Sequence, residues 1–214
     1  MPEQLSAARV RELSQRGEAV VVDLRRPAEF ARGHPKGAIN LPYSEKGLPD
    51  RLAVVLPPGT PVMLLASEPA AAAAGLAQLR TSQYPVLGLI ERGAWQEAGL
   101  PEESFPEIPI QTLAKAVPGR DLTILDVREP MEWETGHVPG ALLVSLGNLR
   151  ERLSSIPRDA PVAVICETGV RSCTAASLLQ AAGFSELGNV SEGTSGYRRA
   201  RLPLQFPDSA QEDG

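Results

Sequence analysis

The chain repeats itself. The segment VVDLRRPAEFARGHPKGAINLP, Val21 to Pro42, returns as ILDVREPMEWETGHVPGALLVS, Ile124 to Ser145, at an offset of 103 residues. Asp23, Arg25, Pro27, Glu29, Gly33, His34, Gly37 and Ala38 pair with Asp126, Arg128, Pro130, Glu132, Gly136, His137, Gly140 and Ala141. Further on, PVMLLASEPAAAAAGLAQL pairs with PVAVICETGVRSCTAASLL and GLIERG with GNVSEG, now at an offset of 100. A period of about 100 residues is the size of a small domain, so the 214 residues divide into two similar units. The Pro- and Glu-rich stretch LPEESFPEIP, Leu100 to Pro109, reads as the linker.

Each unit carries the same order of elements. A helix (Gln4 to Gln15; Ile110 to Val117) precedes a short apolar strand (Ala19 to Asp23; Leu122 to Asp126). A helix opened by Pro27 or Pro130 follows, because proline at a first helical position forfeits no hydrogen bond. A further helix is expected near Lys46 to Val54 and Gly147 to Leu153. Next come a buried strand (Pro61 to Leu65; Pro161 to Ile165), a loop and an Ala/Leu-rich helix, which Gly183 ends in the second unit. Apolar strands alternating with helices imply α/β units, each a parallel sheet covered on both faces.

Composition narrows the function. The chain is 43% hydrophobic, and only 4% aromatic, so Leu, Val, Ile and Ala must fill the cores. A net charge of −5 with no Lys/Arg run argues against nucleic acid. No segment has the length of an apolar membrane span, and the charged N-terminus lacks a signal core, which points to the cytoplasm. The two cysteines, Cys166 and Cys173, make no disulfide framework and lack Cys-x-x-Cys spacing.

The chemistry sits in VICETGVRS, Val164 to Ser172. A lone cysteine at the end of an apolar strand is commonly a core residue. Here Gly169, Arg171 and Ser172 follow it at a strand-to-helix turn, the place where α/β sheets bind ligands. Backbone N–H groups and a helix N-terminus there make a thiolate available as a nucleophile. Gly169 lets the loop curl or approach a substrate closely. Arg171 supplies a cation or holds the loop, Ser172 is a candidate N-cap, and Thr168 offers a hydroxyl toward the sulfur. Glu167 puts negative charge beside Cys166. Cys173 reads as a small core-facing helix residue, with a resolving thiol as the alternative. His34 and His137 recur in both units, as do the Asp/Arg pairs, which favours structural roles.

These residues resemble the rhodanese-type sulfurtransferases. The D-x-R-x-P-x-E-(F/W) and GH-x-x-GA segments occur in both halves, and C-x-x-G-x-R-S in the second. The resemblance implies two tandem rhodanese-like domains, each a five-stranded parallel sheet flanked by helices. They would span 1–101 and 110–206, with 102–109 as linker and 207–214 as tail. It implies a Cys166 persulfide that takes sulfur from a donor such as thiosulfate and yields it to cyanide or a thiol. The loop Cys166, Glu167, Thr168, Gly169, Val170, Arg171, with Ser172 after it, would bind substrate. No cofactor, metal, nucleic acid or membrane is implied, and a sulfur-relay protein is a candidate partner. In the first unit Ala66, Pro69 and Ala71 replace Cys166, Gly169 and Arg171, so that unit is expected to be inactive. Its closing segment keeps Trp95 where the second unit has Ser195. The alternatives are a persulfide carrier or interaction module, and a cysteine phosphatase or arsenate reductase. The phosphatase loop needs five residues between Cys and Arg, and here there are four.

Overall fold

The computed structural model describes residues 4–97, 99, 101–117 and 121–207, apart from the side chains of 92, 94 and 97. Leu100 of the expected linker and 208–214 of the expected tail lie outside the described residues. The chain divides into two compact units, Met1–Pro106 with Ala176–Ser185, and Glu107–Ala175 with Glu186–Gly214.

The first repeat runs α1 (Ala7–Gln15), β1 (Val20–Asp23), α2 (Pro27–Arg32), β2 (His34–Pro35), β3 (Ile39–Asn40), α3 (Leu48–Val55), β4 (Val62–Leu65), α4 (Pro69–Leu79), β5 (Val86–Ile90), α5 (Arg92–Glu97) and β6 (Glu102–Glu103). The second runs α6 (Ile110–Ala116), β7 (Thr123–Asp126), α7 (Pro130–Trp133), β8 (Leu142–Leu143), β9 (Val162–Ile165), α8 (Val170–Ala181), β10 (Leu187–Asn189) and α9 (Gly193–Arg199). Pro27 and Pro130 open their helices as expected. Where the sequence suggests a helix over 147–153, two 3-10 turns stand instead, Leu146–Asn148 and Leu153–Ser155. Gly147 and Asn148 are poor helix formers, and they sit where the α-helix would have to start.

Each repeat has a four-stranded parallel sheet, in the orders β3-β1-β4-β5 and β10-β9-β7-β8. The α/β architecture is therefore the expected one, with four strands per sheet among the described residues rather than five. The fifth position survives as single parallel bridges, Gln4 to Leu89 and Glu107 to Asn189. Pro106 and Pro109 flank the second bridge, and proline has no N–H to extend a ladder. Of the segment read as a linker, Glu102 to Pro106 belong to the first unit, where β6 pairs antiparallel with β2 and buried Phe105 donates its N–H to the Ala31 carbonyl, and Glu107 to Pro109 belong to the second.

The central strands are apolar throughout. Val162, Ala163, Val164 and Ile165 are all buried, as are Val62, Met63, Leu64 and Leu65. In the second unit Ile110, Leu113, Ile124, Val138, Ile165, Val190 and Tyr197 form one cluster, which seats α6 and α9 on the sheet. Burying each such side chain stabilises the fold by roughly 1.5–3 kcal/mol. Aliphatic residues carry these cores, as the scarcity of aromatics requires. Among the described residues no helix is long and apolar enough to cross a membrane.

Candidate active site

In the second sheet the strand order switches between β7 and β9, with β8 on one side and β10 on the other, which makes the crevice beyond their carboxyl ends the expected ligand position. The loop after β7 carries Arg128, and the loop after β9 begins at Cys166. Asp126 and Arg128 are both fully buried, with Arg128 Nη2 2.8 Å from Asp126 Oδ2. The same guanidinium donates to the carbonyls of Gly136 and Glu132 at 3.0 and 3.1 Å. Asp23 and Arg25 make the equivalent buried pair in the first repeat. The same buried pair thus ends the first strand of the sheet in both repeats.

Cys166 is buried, at 1% exposure. Its sulfur accepts the Gly169 N–H at 3.2 Å and lies 3.3 Å from the Ser172 hydroxyl. Among the described residues, Gly169 and Ser172 supply the hydrogen bonds seen at the sulfur, and Thr168 is exposed. Val170, also exposed, is the first residue of α8. Ser172 is therefore inside the first turn of the helix rather than at its N-cap. Its hydroxyl reaches Asn189 Oδ1 at 2.7 Å instead. Cys173 is fully buried, and neither cysteine is in a disulfide.

Gly169 has φ +87°, and a Cβ there would lie 2.1 Å from the Ser191 carbonyl oxygen. Gly193 closes the loop from the other side, since a Cβ on it would lie 2.3 Å from the Glu167 carbonyl oxygen. Thr194 and Ser195 donate backbone N–H groups to the carbonyls of Cys166 and Glu167 at 2.8 and 3.1 Å. The unpaired N–H groups of the first turn of α9 thus satisfy the loop's carbonyls.

Both charged side chains of the loop are paired. Arg171 makes a two-pronged contact with Glu132, at 2.6 and 2.7 Å. Glu167 accepts from Arg198 and from the Thr194 hydroxyl (2.7 Å), and lies 3.8 Å from Arg128. The negative charge expected to face an incoming donor is therefore held by cations. A cation beside a helix N-terminus opposes the helix dipole, and Glu132 offsets this for Arg171. Hydrogen bonding from Arg171 pulls the Glu132 carboxyl down to about 2, and the pairing holds Arg171 protonated above its ordinary range.

The sign of the pH dependence follows. A carboxyl lowered from 4.5 to about 2 adds stability that is complete above about pH 4.5 and lost as pH falls toward about 2. Glu132→Gln is therefore expected to be less stable than wild type at neutral pH, with the gap narrowing below about pH 4.5. Urea denaturation at a series of pH values reads this directly. A gap that stays constant down to about pH 3 would exclude the pair as its source.

The two histidines are built into the frame. His137 stacks on Trp133 with centroids 3.5 Å apart, and Nδ1 faces the Trp133 carbonyl at 3.4 Å. His34 stacks on Phe30 in the same way, at 3.7 Å. Burial pushes both imidazoles below their ordinary range.

The first repeat lacks this apparatus. Proline locks φ near −65°, so Pro69 cannot take the conformation of Gly169, and α4 starts one position earlier than α8. Beside Ala66 lies a cavity of about 600 Å³, lined by Gln4, Ser67, Pro69, Leu89 and Glu91 among others. Among the described residues, no group of three or more His, Cys, Asp or Glu could hold a metal.

Sequence reasoning missed Asn189, Thr194, Arg198 and Glu132. At the offset of 100, the first three face Leu89, Ala94 and Ala98, so column-by-column reading of the repeat would have exposed them. Glu132 could not be found that way. Its counterpart Glu29 is kept, because both accept the backbone N–H at the start of their helices.

A model of the Rhodanese-like domain matches the chain twice, over residues 6–97 and 110–200. Over 87 residues, 40% of the chain, it is 38% identical to the "Probable adenylyltransferase/sulfurtransferase MoeZ" of Mycobacterium tuberculosis (strain CDC 1551 / Oshkosh). That match spans 22% of the relative's length. Over 97 residues, 45% of the chain, it is 28% identical to the thiosulfate sulfurtransferase GlpE of Pseudoalteromonas translucida, covering 92% of that protein. The solved thiosulfate sulfurtransferase of Pseudomonas aeruginosa aligns with 94% of the chain and 43% of its own, at 24% identity and a TM-score of 0.42.

Proposed function

Since the chain belongs to the rhodanese-like family, with two copies of that domain, we propose that it is a sulfurtransferase working through a persulfide on Cys166. The donor is a sulfane-sulfur compound such as thiosulfate, and the acceptor is cyanide or a thiol. The observation that carries this reading is the pairing of Cys166 with the Gly169 N–H and the Ser172 hydroxyl at a strand-to-helix turn, against Ala66 at the matching turn of the first repeat.

The chemistry is a double displacement. The Cys166 thiolate attacks the sulfane sulfur, the donor's S–S bond breaks, and sulfite leaves if the donor is thiosulfate. The acceptor then attacks the outer sulfur of the persulfide. Cyanide leaves as thiocyanate, and the thiolate returns. Gly169 N–H and Ser172 hydroxyl bear on the sulfur that carries the negative charge in both half-reactions. Glu167, Thr168, Val170 and Arg171 shape the loop around it.

We assign this activity to residues 110–206 and a non-catalytic role to 1–101. The four-residue gap between Cys166 and Arg171 weighs against phosphate or arsenate chemistry. A sulfur-relay protein in the cytoplasm is the macromolecular acceptor we propose beside small thiols.

Intact mass after treatment with thiosulfate, mercaptopyruvate or a glutathione persulfide tests the proposal. One added sulfur, removed by cyanide, is the expected result; no adduct with any donor would refute it. An adduct without turnover of small donors would make the chain a carrier.

Arg171 offers a separate check. Its guanidinium is committed to Glu132, so Arg171→Ala is expected to slow transfer from charged and neutral donors by similar factors. A selective loss with thiosulfate, read from kcat/KM for each donor, would instead make Arg171 a substrate-binding cation.

A further inference from the structure

Asn189 ends β10 and is fully buried. Its side-chain amide donates from Nδ2 to the Gly169 carbonyl at 3.2 Å, and its Oδ1 accepts from Ser172 at 2.7 Å. The amide can point only one way. A carbonyl oxygen cannot donate, so the NH₂ must face Gly169, and Oδ1 must face Ser172. Asn189 thereby grips both residues that touch the Cys166 sulfur: Gly169, whose N–H reaches it at 3.2 Å, and Ser172, whose hydroxyl stands 3.3 Å away.

Ser172 has a single hydroxyl proton for two neighbours, Asn189 Oδ1 at 2.7 Å and the sulfur at 3.3 Å. The shorter contact to oxygen fixes where the hydroxyl oxygen stands. From that position a small rotation about the C–O bond turns the proton to a sulfur that has become anionic.

The repeat supplies an independent observation. Residues with the same buried contacts in both repeats are kept whether or not a cysteine is present: Asp23 and Asp126, Arg25 and Arg128, His34 and His137. Asn189 is not kept. Leu89 stands at its position, in the repeat where Ala66 and Ala72 replace Cys166 and Ser172. Strand β5 forms and pairs with Leu89 there, so the asparagine is not needed to build this strand. It is absent where the nucleophile is absent.

We infer that Asn189 is a positioning residue for sulfur transfer, acting on Cys166 through Ser172 and Gly169. The inference rests on the proposed persulfide chemistry for its role in turnover, but its effect on the thiolate can be measured without any sulfur donor.

The test uses Asn189→Leu, Ser172→Ala and the double variant in the full chain. Two donors to a charged sulfur are loosened in Asn189→Leu, so kcat is expected to fall roughly 10- to 100-fold, with KM for the donor little changed. The rate of Cys166 alkylation by iodoacetamide, followed against pH, is expected to be lower than in wild type across the series. The charged groups around the loop, Glu167, Arg171, Glu132, Arg128 and Arg198, are the same in both proteins. The double variant is expected to be less impaired than the product of the two single losses, because part of each loss is one shared contact. Unchanged kcat and an unchanged alkylation curve in Asn189→Leu would overturn the inference, and so would strictly multiplicative losses. If wild type takes sulfur from no donor, the proposed function fails while the alkylation curves still decide the role of Asn189.

Discussion

Cys166→Ala is expected to reduce sulfur transfer to background and to leave no sulfur adduct after donor treatment. The variant removes the only group in the loop that can form the S–S bond, and Ala66 shows the same replacement in the first repeat. The loss will not be a folding effect. Cysteine to alanine removes one sulfur atom from a buried site, at a cost on the order of 1 kcal/mol, so denaturation should change little. Cys173→Ala is the matched control. That thiol is fully buried within α8, and no part of the proposed chemistry passes through it, so turnover should largely survive. Intact mass and thiocyanate release measure both variants. A cyanide-labile adduct that persists in Cys166→Ala and disappears in Cys173→Ala would exchange their roles.

The repeat made the fold legible because the same pattern is printed twice. Runs such as VMLL and VAVI, bounded by Pro and by a loop, announced buried parallel strands. Pro27 and Pro130 announced helix starts. The sheet edges were less legible. Nothing in Gln4-Leu5 or Glu107-Ile108 tells a bridge from a strand, and the outcome depends on the helices and prolines beside them. The helix expected over 147–153 fails for a local reason, since Gly147 and Asn148 are poor helix formers where it would have to start.

At the candidate site, the sequence singled out Cys166 and Gly169, which the structure brings into contact, but not the partners of the charges. Glu167 and Arg171 are four residues apart, a spacing at which opposite charges in one loop would be expected to offset each other. They bind elsewhere: Glu167 to α9 through Arg198 and Thr194, and Arg171 to α7 through Glu132. Each pair joins segments 27 to 39 residues apart in the chain, which no local pattern records. Once paired, the loop presents polar backbone and a hydroxyl to the sulfur rather than a bare cation. Such a site suits a nucleophile whose charge must be held without being neutralised by an ion pair.

Gly169→Ala is expected to have the second-largest effect. Alanine at φ +87° costs about 1–2 kcal/mol for the left-handed conformation alone. The added Cβ would also lie 2.1 Å from the Ser191 oxygen and 2.8 Å from its Cα, all of it backbone. Backbone cannot rotate aside as a side chain can, so the loop or the β10–α9 turn must move, at a further cost of about 1–3 kcal/mol. Movement of either breaks the Gly169 N–H contact to the sulfur and strains the Asn189 contact to the Gly169 carbonyl. Losing one preorganised donor to a developing anion slows reactions by roughly 100-fold or more, so transfer should fall by at least that factor. Gly140→Ala isolates the contribution of conformation. Gly140 has φ +75° with nothing within 4 Å of an added Cβ, so it should lose only the first increment of stability and little activity. Urea denaturation and thiocyanate release for the two variants separate strain from collision. Equal losses in both would mean that the close approach of Ser191 contributes nothing, and that the loop can yield around a methyl group without disturbing Cys166.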